Sequence, residues 1–117
     1  MLSLNVQADD NLARQTLASQ SEALQSRYPA GSIVADPQAE LALQEAQKIQ
    51  QSLQVWAQQA ETECYERFFV YACLQDVRQT RRLHADKIQA IILEAKSTQR
   101  RIRLQERDQE LLQRNTK

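Results

Sequence analysis

The chain has 117 residues with 15 basic and 15 acidic side chains, one glycine and two prolines. This length predicts a single domain, and zero net charge counts against a nucleic-acid-binding protein. Ala, Gln, Leu, Glu and Arg dominate and are good helix formers, while an aromatic content of 5% is too low for a thick globular core. We therefore predict an all-α fold, with long helices in a thin bundle or a coiled-coil-like hairpin.

The first ten residues resemble the end of a secretory signal peptide. Residues 6–8, Val-Gln-Ala, fit the small-x-small cleavage pattern. The basic and most of the apolar part of such a signal are absent. The alternative interpretation of residues 1–10 is a short disordered tail before the first helix. The paired cysteines favour export, because disulfides persist in oxidising compartments.

Two helices are predicted before the cysteines. The first is expected over about residues 11–27 and ends at the turn-forming sequence Tyr28-Pro29-Ala30-Gly31-Ser32. Asp36, a preferred N-cap residue, and Pro37 then open a second helix over about residues 37–66. Its apolar residues recur every three or four positions, opposite a face rich in glutamine. These elements predict a helical domain over residues 11–117.

A third helix is predicted over about residues 72–113. Its apolar stripe is continuous as far as Ala95 and then becomes sparse among arginines and glutamates. At about 1.5 Å per residue, this helix is too long for the other two to cover. We expect its C-terminal part to protrude or to meet a partner.

Cys64 and Cys73 are the centre of the fold prediction. On one unbroken helix they would lie about 13.5 Å apart along the axis, whereas a disulfide needs Cα atoms within roughly 4.4–6.8 Å. We predict a helical hairpin that bends between them and is clipped by their disulfide, so that Trp56, Phe68, Phe69 and Tyr71 pack as the core of the bend. The alternatives are two reduced, separately buried cysteines and a redox-active pair, although redox pairs usually show Cys-x-x-Cys spacing.

The remaining residues give no indication of catalysis. Two cysteines and the single His84 fall short of four zinc ligands, and one glycine cannot build a phosphate-binding loop. No nucleophile stands in a base–orienter pattern. We predict no metal, no cofactor and no enzymatic activity, with His84 on or near a helix surface.

Arginines form two groups in the third helix. Their simplest interpretation is a solvated helix face; the alternative is a surface for an anion or an acidic partner, or for pairing in a helical homodimer. The candidate partner-binding residues are Arg78, Arg81, Arg82, Arg100, Arg101, Arg103 and Arg107.

Three short segments together resemble a known group of proteins. They are residues 27–33 (RYPAGSI), residues 63–74 (ECYERFFVYACL) and the pair Arg81-Arg82. They are similar to an "RFPAGSI"-like turn and a "CYxxFFVxxCL" core in a group of small exported helical proteins of Gram-negative bacteria, with a signal peptide and an Arg- and Glu-rich helical tail. Tyr71 stands where a small polar residue is expected. The resemblance implies periplasmic residence and a paired-cysteine helical hairpin, and it implies no particular activity.

Three functions follow as hypotheses. The first is a non-enzymatic periplasmic structural or interaction protein that binds a protein partner or itself through an exposed helical face. The second is a cytoplasmic helical adaptor or secretion-type chaperone with reduced cysteines. The third is an anion or nucleic-acid binder that acts through the arginines. No apolar run approaches the roughly 20 residues of a membrane span.

Overall fold

The computed structural model describes the backbone of residues 2–116 and the side chains of residues 11–116. It contains three helices, α1 (Leu2–Arg27), α2 (Asp36–Cys64) and α3 (Val70–Asn115), and no strand within that range. α2 and α3 form an antiparallel hairpin joined at one end by the Cys64–Cys73 disulfide. The predicted all-α, disulfide-clipped hairpin is confirmed.

The helix bounds differ from the predicted ones mainly at the N-terminus. α1 begins at Leu2 instead of near residue 11. The side chains of residues 1–10, including the predicted cleavage pattern at residues 6–8, lie outside the described residues. The interpretation of this segment as a signal-peptide remnant or a disordered tail stays a prediction. α2 begins at Asp36, with Ala35 as its N-cap residue and no side-chain cap. Asp36 was predicted to be that cap; it instead lies in the first turn, where its charge complements the helix dipole.

The core is a seam between α2 and α3. On α2 small and large residues alternate, so that alanines let the helices approach while Ile49, Leu53 and Trp56 fill the space between them. On α3 the matching stripe recurs at helical spacing. Its buried members are Val77, Ile88, Ile91, Ile92, Ala95 and Thr98. This seam is narrow, as the low aromatic content predicts.

α1 lies along the hairpin, parallel to α3, and contacts both of the other helices. Leu17, Ser21 and Leu24 are buried on it, whereas Leu12 is 64% exposed. Ser21 is a polar residue between the two leucines on this face of α1. It is nevertheless buried. Its hydroxyl lies within hydrogen-bond distance of Nδ1 of His84 on α3, at 3.1 Å, so the buried polar group has a partner. α1 is therefore held by polar contacts as well as by leucines.

The predicted turn after α1 connects it to the far end of the hairpin. Ser32 N–H donates to the carbonyl of Pro29 at 3.0 Å, and Gly31 has φ of 83°, which side chains with a Cβ rarely adopt. Gly31 N–H also donates to the carboxylate of Glu94 on α3. The turn thus fixes α1 against α3 near the start of α2.

The helices have unequal lengths. α2 has 29 residues and α3 has 46, which correspond to about 44 Å and about 69 Å of helix. The whole molecule is a rod of 77 × 22 × 18 Å. The difference leaves the C-terminal part of α3 uncovered, and every described residue from 103 to 116 is exposed. We call residues 102–115 the arm.

Candidate functional site

The disulfide closes a short connection between α2 and α3. Cys64 is the last residue of α2 and Cys73 lies in the first turn of α3, with Cα atoms 5.5 Å apart. Cys64 is fully buried. Tyr65, Glu66 and Arg67 continue α2 with N–H groups that bond to carbonyls three residues earlier. The disulfide therefore joins the two helices at this end of the hairpin, and the residues between the cysteines form a loop outside it.

The aromatic residues of this connection face outward, which corrects the prediction that they form the core of the bend. Tyr65, Phe68, Phe69 and Tyr71 are 69%, 93%, 73% and 73% exposed. Their place inside is already filled, because the disulfide, Ala60 and Val77 occupy the space between the helix ends. Of the four residues assigned to that core, Trp56 alone is buried. We call residues 65–71 the aromatic tip.

Trp56 belongs instead to the junction of all three helices. The Arg14 guanidinium of α1 lies over its ring, 5.1 Å from the ring centroid. Arg14 also forms a 2.8 Å ion pair with Asp76 and donates to Thr80 on α3 at 3.3 Å. A planar guanidinium can stack and bond at its edges together. Arg14 therefore links α1 to both helices of the hairpin. The sequence analysis did not predict this role.

The arginines of α3 stay in two groups along the helix axis, with about 21 Å between Arg82 and Lys96, but the two groups lie on the same side. Counted at 100° per residue, most of them share one long face turned away from α1 and α2. We call this face the basic ridge, and it consists of Arg78, Arg82, Lys96, Arg100, Arg103, Arg107 and Arg114. All seven are exposed, and none forms an ion pair within the described residues. The ridge is a free cationic surface that continues along the arm.

Two of the predicted arginines lie off the ridge. Arg81 borders a shallow depression beside Gln47 and Gln51 of α2, and Arg101 points to the Val34 carbonyl at 3.5 Å. Lys96 and Arg114 join the ridge, although sequence analysis left them out. The signal that could have found them is their helical spacing from Arg100 and Arg107.

Leucines run beside the ridge. Leu93, Leu104 and Leu111 are 58%, 50% and 48% exposed, and they recur on one face of α3 next to the arginines. A helix with exposed leucines flanked by charge is typical of a surface that pairs with another helix. This combination extends from the covered part of α3 into the arm.

The side chains of the described residues line surfaces that are open to solvent. No group of three or more His, Cys, Asp or Glu side chains among them could hold a metal ion. The depressions on the surface are open to solvent. One example is the groove between α1 and α2 beside Ala23 and Ile49. In the same part of the chain, no helix has the length and apolar character needed to cross a membrane. What the structure offers is surface: the tip, the ridge and the arm.

Comparisons of the chain with protein-family models, curated proteins and solved structures gave no match.

Proposed function

We propose that this chain is a non-enzymatic interaction protein that binds a protein partner, or a second copy of itself, through the exposed face of α3. The observation that carries the proposal is the arm, which extends past α2 and in which every described residue from 103 onward is exposed. A helix that faced only water could form without exposed leucines such as Leu104, Leu111 and Leu112. Their exposure is explained if a partner covers them.

The charge of the ridge indicates the chemistry of that partner. The ridge has no ion pair within the described residues, and on the arm its members Arg103, Arg107 and Arg114 lie beside Leu104 and Leu111. An acidic surface would complement this field, and rim charges of this kind raise association rates and fix orientation. The partner surface is therefore acidic and apolar, as on an amphipathic helix rich in Glu and Leu.

We further propose that the protein works in an exported, oxidising compartment. The disulfide supports this, because such bonds persist in secreted and periplasmic proteins and are rare in reducing ones. The intact mass of protein from its native host, with thiols alkylated before and after reduction, tests it. Thiols that alkylate only after reduction support export; two free thiols would favour a cytoplasmic adaptor.

A matched pair of variants tests the binding surface. R100Q/R103Q/R107Q removes three charges from the ridge, and Q44E/Q51E/Q58E makes the same change in net charge on the exposed face of α2. Each is compared with the wild type by sedimentation velocity and by affinity capture from an extract of the native host. We expect the ridge variant alone to lose the complex or the dimer. A strictly monomeric wild type that captures nothing would overturn the proposal.

A further inference from the structure

Four of the six aromatic residues of this chain lie in the aromatic tip, and all four are at least 69% exposed. Large apolar side chains scattered singly on a surface are ordinary, but a contiguous group of them marks an interaction site. This group lies at the opposite end of the hairpin from the arm. It therefore needs an explanation other than the helix-binding surface.

The tip is exposed and amphipathic along its length. Phe68 and Phe69 pack edge to face at the turn, with ring centroids 5.1 Å apart. Tyr65 follows the last residue of α2 and Tyr71 lies in the first turn of α3, so that hydroxyl-bearing rings flank the purely apolar ones. Aromatic residues with one apolar and one polar end are enriched where a membrane meets water.

The disulfide makes the tip ready to bind. Tyr65 to Phe69 form the whole connection between the helices, and the Cys64–Cys73 bond holds its two ends 5.5 Å apart between Cα atoms. A loop already held in its bound shape loses little conformational entropy on binding. The structure therefore presents the phenylalanines to solvent and holds them there.

We propose that the aromatic tip inserts into the interface of a lipid bilayer and anchors the rod by that end. A bilayer can cover side chains as exposed as Phe68 (93%) and Phe69 (73%) without a matching shape, whereas a protein would need a deep pocket to enclose them. Charge counts against two tips that meet each other: the tip itself is neutral, but Glu61 and Glu63 in the last turn of α2 lie beside it and give residues 61–69 a net charge of −2 on each copy. Because the same charge would be repelled by anionic lipid, we expect the tip to bind a zwitterionic bilayer.

The geometry of the rod gives this anchor a consequence. The hairpin bend lies at one end of a molecule 77 Å long, and the arm lies at the other. A rod held by its tip would place the arm, with the ridge residues Arg103, Arg107 and Arg114, far from the lipid surface. The tip and the arm are separate surfaces. Loss of lipid binding at the tip would therefore leave partner binding at the arm unchanged, and the reverse also holds.

Flotation with phosphatidylcholine vesicles tests the anchor. The oxidised full chain is measured in about 0.5 M salt, which screens any contribution of the ridge. Three matched double variants replace exposed or N-terminal apolar residues: F68S/F69S in the tip, L111S/L112S in the arm and L2S/L4S at the chain start. We expect F68S/F69S alone to lower the partition coefficient, by roughly tenfold or more.

A second measurement locates the contact. F68W adds an exposed fluorophore to the tip, while Trp56 is buried in the wild type and serves as the reference. With vesicles, the added emission should shift to the blue and be quenched by brominated lipid. Three results would overturn the proposal: a wild type that does not float, F68S/F69S that floats equally well, or a photoreactive residue at position 68 that crosslinks to protein rather than to lipid in native membranes.

Discussion

The hydroxyl of Thr98 donates a hydrogen bond of 2.7 Å to the backbone carbonyl of Ile33, and both residues are buried. This bond joins the link between α1 and α2 to the third helix, at the last buried position on α3. Beyond it the arm begins. The contact therefore marks the border between the packed rod and the surface that we propose for binding.

Replacement of Thr98 by Val should destabilise the fold. The substitution keeps the shape of the side chain but leaves the buried Ile33 carbonyl without its donor, which costs about 1–3 kcal/mol. Urea unfolding measures the change. Thr62→Val is the control, because the Thr62 hydroxyl bonds to the Gln58 carbonyl within an exposed turn of α2 and its loss should change stability little. Equal effects of the two variants would contradict this account of the border.

Reduction of the disulfide should lower the free energy of unfolding. For a loop of about ten residues the chain-entropy estimate is on the order of 2–3 kcal/mol, a large share of the stability of a thin hairpin. Urea unfolding with and without reductant measures it. The control is C64A/C73A, on which reductant should have no effect. If reductant does not change the urea midpoint of the wild type, the disulfide does not stabilise the hairpin and this prediction is wrong.

The docking of α1 should weaken in mild acid. Burial lowers the pKa of His84 from its ordinary value of 6.5, and Lys87 lowers it further while Glu22 opposes them. Because the folded state favours the neutral ring, its stabilisation is complete above about pH 6.5 and is lost as the pH falls below that value. The Ser21 hydroxyl lies 3.1 Å from Nδ1, and once the ring is protonated that nitrogen can only donate to it.

Urea unfolding of the wild type and His84→Gln, compared at about pH 8 and about pH 5.5, checks this prediction. The glutamine variant should lose less stability between the two pH values than the wild type, because the carboxylates that titrate in that range are common to both. An identical pH dependence in the two proteins would show that His84 does not contribute to it.

Arg14 should matter more than its partial exposure suggests. Arg14→Lys keeps the charge beside Asp76 but removes the planar group over Trp56, and Arg14→Ala removes both. We expect stability to fall in the order wild type, lysine, alanine, with a total loss of about 1–2 kcal/mol. Thermal unfolding followed by near-ultraviolet dichroism of the tryptophan measures it. Equal stability of Arg14→Ala and wild type would contradict the role of this junction.

The sequence predicted the hairpin because helical periodicity and the spacing of Cys64 and Cys73 allow few other folds. It could not predict which way the aromatics face. Phe68 and Phe69 are apolar, and burial is the ordinary expectation for such residues, but a five-residue connection outside a disulfide has no interior to receive them. Composition alone does not contain that geometric limit.

The ridge shows a different kind of failure. Arg81 and Arg82 are neighbours in sequence, but successive residues of a helix point about 100° apart. Arg81 therefore faces α2, whereas Arg82 lies on the outer face with Arg100 and Arg107. Grouping by sequence order obscured a surface that grouping by helical turn reveals. Ser21 was missed for a related reason, since its partner His84 is brought near only by the packing of α1.

Photo-crosslinking from the arm in cells of the native host tests the central claim most directly. A photoreactive residue at Leu104 is compared with one at Val55, which is equally exposed (50% for each) on α2. The account predicts a covalent adduct, either with a partner protein or with a second copy, from position 104 alone. This adduct should disappear in R100Q/R103Q/R107Q. No adduct from position 104, or the same adduct from both positions, would contradict the claim that α3 carries the binding surface.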